Sequence, residues 1–85
     1  MTTDTERGLV FVVDDDAGVR QMISRMVRSV DLRVETYASV QEFLELYDRR
    51  QTGCLVLDVR MPGLSGLDLQ ERLVALEVAL PIIFI

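Results

Sequence analysis

Eighty-five residues, 49% of them hydrophobic, make room for one small domain with an apolar core. Nine basic residues against fourteen acidic ones leave a net charge of −5, which argues against nucleic acid or an anionic membrane as a direct partner. No apolar run approaches the roughly 20 residues of a membrane-crossing helix, Met1 to Gly8 carry no signal-peptide core, and the lone Cys54 cannot form an internal disulfide, so a cytoplasmic setting is expected.

Two absences narrow the chemistry further. There is no histidine, so imidazole bases, His metal ligands and phosphohistidine chemistry are excluded within these residues. There is also no lysine, since all nine basic residues are arginine. A Lys point charge on a phosphate would have to come from elsewhere.

In chain order, Leu9 to Val13 is an apolar, β-branched run and predicts a buried first strand, ending in Asp14-Asp15-Asp16. From Ala17 to Val30 the residues Val19, Met22, Ile23, Met26, Val27 and Val30 recur at helical spacing, with Arg20, Arg25 and Arg28 on the other face. Met22 and Met26 are expected in the core, and Asp16 suits the N-cap. Asp31 to Ala38 places Leu32, Val34, Thr36 and Ala38 in alternation, the pattern of a half-buried edge strand.

Ser39 to Glu42 matches a capping box, opening a helix whose inner side is Val40, Phe43, Leu44, Leu46 and Tyr47 and which Arg49, Arg50 and Gly53 close. Cys54 to Leu57 reads as a central strand buried on both faces, with Asp58 at its carboxyl end, where open α/β sheets place ligands. The cysteine is expected to be a buried, inert thiol. A turn built on Pro62-Gly63 follows, then Ser65 as the cap of a third helix from Gly66 to Glu77 with Leu69, Leu73 and Leu76 on one stripe. Ile82 to Ile85 forms a fourth strand. The order is βαβαβαβ within a single domain spanning 1–85 with its core at 8–85, an α/β doubly wound parallel sheet with right-handed crossovers.

If strands one and three are neighbours, Asp14, Asp15 and Asp58 meet at their carboxyl ends. Three carboxylates in one pocket repel one another, and a hard cation relieves that repulsion. Mg²⁺ suits such an oxygen-only set, and a carboxylate beside it can attack a phosphoryl group. A solvated loop and helix cap is the competing reading of the acidic triplet, and it fits Asp16 best.

Val12 to Asp16, together with Leu57 to Gly63 and Ser65-Gly66, resembles the receiver domain of bacterial two-component response regulators. The wording around Cys54 to Gln70 is most similar to receivers that precede a LuxR-type helix-turn-helix. The resemblance implies a flavodoxin-like sheet of strand order 2-1-3-4. It also implies Asp58 as phospho-acceptor, Asp15 and Asp14 as Mg²⁺ ligands, and the backbone carbonyl of Arg60 as a further ligand. The donor would be the phosphohistidine of a sensor histidine kinase, and the ordinary output is control of a DNA-binding domain.

A full receiver also has a Ser or Thr after its fourth strand, a fifth strand ending in Lys, and two more helices. None is found in these 85 residues. The expectation is therefore an incomplete receiver that exposes Ile82 to Ile85 and one face of its first helix, and associates with itself through that edge. Three readings follow: a phospho-acceptor module that is not an enzyme in the ordinary sense, a binding or dimerisation piece incapable of phosphotransfer, and an aspartyl phosphatase. The last needs an acid two residues beyond its nucleophile, where Arg60 stands.

Overall fold

The protein is described from a computed structural model, which covers residues 8–48, 51–58, 60, 66–77 and 80–85. Its elements are β1 (Leu9–Val13), α1 (Ala17–Ser29), β2 (Arg33–Tyr37), α2 (Val40–Leu46), β3 (Cys54–Leu57), α3 (Gly66–Ala75) and β4 (Ile82–Phe84). The four strands form one parallel sheet in the order β2-β1-β3-β4. Strand order and alternation agree with the sequence expectation.

The sheet register assigns each strand residue to a face. Phe11 pairs with Glu35 and Leu55, and Val13 with Tyr37 and Leu57, so these alternate positions share one side. On that side Phe11, Leu55 and Leu57 pack with Val40 and Phe43 of α2 and Leu69 and Leu73 of α3 into the main core. Ring contacts weld it: Phe43 lies edge-on to Phe11 at 5.6 Å and to Tyr37 at 5.2 Å, and stacks on Tyr47 at 5.0 Å.

The opposite face carries Val12, fully buried, with Val10, Val34, Cys54 and Val56 half-buried around it. Helix α1 packs here, on β1 and β2. Val19, Ile23 and Val27 are its half-buried inner stripe, and Ser24 is its buried residue. Met22 and Met26 do not enter the core: they are 54% and 62% exposed. The helix sits toward the β2 side of the sheet, which turns that flank away from the strands it contacts.

Several boundaries are also corrected. The alternation in the second strand holds at Val34, half-buried on the α1 face, but not at Thr36, which is exposed, and the strand's buried residue is Tyr37 on the opposite face. Asp31 belongs to the end of α1 rather than to β2. With φ at 62° it forms a Schellman ending, its N–H donating to Arg28 O and that of Leu32 to Val27 O. Helix α2 ends at Leu46, which is exposed, and Gly53 lies against β1 instead of closing the helix. Helix α3 ends at Ala75, leaving Leu76 exposed outside it, and Cys54 is half-buried. Pro62-Gly63, Ser65 and Arg49-Arg50 lie outside the described residues.

Candidate metal centre

Two strand ends build the site. β1 and β3 run parallel with Val13 opposite Leu57, so Asp14 and Asp58, each one residue further on, emerge at the same carboxyl edge. Backbone bonds fix both: Asp14 N–H donates to Tyr37 O and Asp58 N–H to Val13 O, each at 3.2 Å. Both acids therefore sit on extensions of the sheet ladder, not on free loops.

Asp14, Asp15 and Asp58 each offer a carboxylate oxygen, and these oxygens all lie within 4.8 Å of one another. Their environments differ: Asp14 is 2% exposed, Asp58 is half-buried and Asp15 is open to solvent. Among the described residues, the backbone N–H of Asp16 holds Asp14 Oδ1 and that of Arg60 holds Asp58 Oδ1, both at 2.9 Å. Each carboxylate thus keeps its second oxygen for another partner. Burial pushes the Asp14 carboxyl above the usual range, and the charges of Asp58, Asp15 and Asp16 add to that, against the Asp16 N–H that favours ionisation.

The three acids crowd like charge at one edge of the sheet, a repulsion that a cation would relieve. The donor set is oxygen only, with no histidine or second cysteine in the sequence. That chemistry fits Mg²⁺, a hard ion that takes one or two carboxylates and fills its remaining positions with water or phosphate. Asp16 is set apart from the three: its Oδ1 accepts from Gly18 N at 2.8 Å and Val19 N at 3.2 Å, as the N-cap of α1. Ser39 caps α2 likewise, accepting from Glu42 N, while the Glu42 carboxylate reaches back to Ala38 N.

One residue at the rim escaped the sequence reading. Arg20 donates from Nη1 to the backbone carbonyl of Asp14 at 2.6 Å, tying the first turn of α1 to the end of β1. Its helical position marks it as outward-facing, and only its place one turn past the cap hints at this reach. Arg60, exposed, contributes its N–H to Asp58 as described.

A family model described as the response regulator receiver domain matches residues 10–85. The chain belongs to that receiver family. Among curated proteins, nodulation protein W of Bradyrhizobium diazoefficiens is 46% identical over 84 residues, 99% of this chain and 37% of that protein. Response regulator protein TodT of Pseudomonas putida is 47% identical over 77 residues, 91% of this chain and 34% of that one. Of the solved structures, response regulator StyR superposes with a TM-score of 0.87 at 49% identity, covering 92% of this chain and 39% of its own. FixJ-N superposes with a TM-score of 0.83 at 32% identity, covering 93% and 63%.

The receiver spans little more than a third of the length of these curated relatives. Among its described residues no helix is long and apolar enough to cross a membrane. The acidic cluster is the feature by which a receiver holds Mg²⁺, and here its three members converge as the sequence predicts.

Proposed function

We propose that this receiver takes a phosphoryl group onto Asp58 from the phosphohistidine of a sensor histidine kinase, in the cytoplasm, to control a transcriptional output. An Asp58 carboxylate oxygen attacks phosphorus, the phosphorus–nitrogen bond of the donor breaks, and the imidazole leaves with the electron pair. Asp14, Asp15, Asp58 and the carbonyl of Arg60 are the ligands proposed for Mg²⁺. The bound ion would neutralise the acids and the incoming phosphoryl oxygens.

The observation that carries this reading is the convergence of three carboxylate oxygens within 4.8 Å, in a chain of the receiver family. The differences between the three acids support distinct roles. Buried Asp14 is held by backbone and shaped to bind, exposed Asp15 is free to bind directly, and half-buried Asp58 stands open to a donor. The link to transcription is supported by the names of relatives, among them transcriptional regulatory protein FixJ of Bradyrhizobium diazoefficiens, 37% identical over 79 residues. The proposed domain core is residues 8–85.

The test is acetyl phosphate with Mg²⁺, read by intact mass. Wild type is expected to gain one phosphoryl group, Asp58→Asn none, and chelation is expected to abolish the gain. An equal gain in the variant removes Asp58 from the role.

A second reading, a binding or dimerisation module without phosphotransfer, is favoured by the edge strand β4. Its Ile83 and Phe84 are 53% and 43% exposed, on a strand paired on one side only among the described residues. Such an edge pairs readily with another chain. Sedimentation distinguishes the readings: self-association that Ile83→Lys abolishes, with no mass gain in wild type, selects the second.

A further inference from the structure

The acid site leaves unexplained a basic groove that begins at its rim, at Ala17 and Arg20, and runs away from it along α1. Ala17, Arg20, Gln21, Ser24, Arg25 and Arg28 follow one another at alternating three- and one-residue steps, which places them along one flank of α1. That flank faces the edge strand β2, and with Thr36 it encloses a cavity of about 370 Å³. The small side chains of Ala17 and Ser24 leave the space, and Ser24 forms its buried floor.

Three guanidinium groups line this groove in a protein whose net charge is −5. Among the described residues, neither Arg25 nor Arg28 has an ion-pair partner, and both are exposed. Arg20 is engaged at one end with the Asp14 carbonyl. A local concentration of unneutralised arginine against an acidic background is an attractive surface for carboxylates.

We propose that the groove between α1 and β2 binds an extended acidic segment of a partner protein. From Arg20 to Arg28 the helix rises about 12 Å. An extended strand places alternate side chains about 6.7 Å apart, so three carboxylates at alternate positions span about 13 Å and meet the arginine row in register. Gln21 and Thr36 supply neutral hydrogen-bonding groups for the backbone between them. A nucleic acid strand is disfavoured by the overall negative charge, which repels a continuous polyanion beyond the groove. This proposal stands independently of phosphotransfer, because it uses no residue of the acid cluster.

The experiment titrates the protein into a fluorescein-labelled peptide bearing glutamates at three alternate positions, read by anisotropy at low salt. A glutamine analogue and a single-stranded oligonucleotide serve as competitors. Saturable binding is expected, weakened about tenfold in the doubly substituted Arg25→Glu/Arg28→Glu protein and retained in Arg72→Glu on α3. It should also fall several-fold at physiological ionic strength. Backbone amide shifts should concentrate on α1 and around Thr36. Circular dichroism checks that the variants, altered only at exposed positions, keep the fold. Equal binding of the glutamine analogue, unchanged affinity in the double variant, or tighter binding of the oligonucleotide overturns the proposal. Self-association lost in the double variant does so too, since the occupant would then be a second copy of this chain.

Discussion

The backbone N–H of Asp58 donates to the carbonyl of Val13 at 3.2 Å, one rung past the last paired residues of β1 and β3. That bond sets the height of Asp58 relative to Asp14, which follows Val13 directly. The sheet ladder therefore holds two like charges together by backbone forces alone. Repulsion at the 4.8 Å limit of the cluster amounts to about 1 kcal/mol in water-like surroundings and more where solvent is excluded.

Asp58→Asn should consequently stabilise the metal-free protein by about 1 kcal/mol. The amide keeps an oxygen to accept from Arg60 N–H, so the loop contact survives while one charge goes. The same variant should lose most of the stabilisation that magnesium confers on wild type. Urea unfolding with and without chelator measures both. A variant less stable than wild type in chelator would show that the acids are not under mutual strain.

Gly53 tests the approach of β3 to β1. A Cβ there would collide with the carbonyl oxygen of Leu9, a backbone atom. Gly53→Ala should therefore destabilise by about 1–3 kcal/mol, as overpacking does. The gain from a stiffer unfolded chain, about 0.4–1 kcal/mol, offsets only part of it. Because the adjacent pair Val10–Cys54 begins the ladder that ends at the two aspartates, magnesium affinity should fall with stability. An unchanged urea midpoint would contradict the close contact.

Tyr37 gives the fold an alkaline limit. Its phenol is pushed up to about 12, by burial first and then by the hydrogen bond to Glu35 Oε2 at 3.0 Å, with the charges of Glu35 and Glu42 adding to the effect. The folded value exceeds the unfolded one of about 10, so between them the unfolded chain has already released a proton that the folded chain retains. This contribution is complete below pH 10 and disappears as the pH rises through about 12, to the extent of roughly 2 kcal/mol. Tyr37→Phe keeps the edge contact with Phe43 and should flatten stability over that window. Urea midpoints measured from about pH 9 to about pH 12 decide it, and parallel slopes in both proteins would refute it.

The parts of this architecture that the sequence discloses are those that local chemistry determines. Leu9 to Val13 has one plausible environment, a doubly covered strand, and Asp16 and Ser39 cap helices because their side chains find backbone N–H groups two or three residues on. The meeting of Asp14 with Asp58 is legible once the strands are adjacent, which the alternation of elements implies. What escapes is set by tertiary placement. The periodicity of α1 offers a wide apolar arc that includes Met22 and Met26, and only the helix's seat over β1 and β2 decides which part of the arc is covered. Likewise Thr36 and Tyr37 are both acceptable inward residues: Tyr37 is buried by its contact with Phe43, whereas Thr36, on the α1 face of the edge strand, stays exposed.

Glu77 supplies the last expectation. It follows α3 with φ at 58°, a left-handed conformation in which its Cβ crowds the backbone. Two bonds close the helix around it, Leu76 N–H to Arg72 O and Glu77 N–H to Val74 O, both at 3.0 Å, and neither uses the Glu77 side chain. Glycine holds the same turn without that crowding, so Glu77→Gly should stabilise by about 1 kcal/mol. In a domain of this size that raises the melting temperature by about 4–8 °C. Glu77→Ala removes the charge but keeps the Cβ, and should give no such gain. Calorimetry on the two variants separates conformation from charge: equal shifts would assign the effect to the carboxylate instead of the backbone.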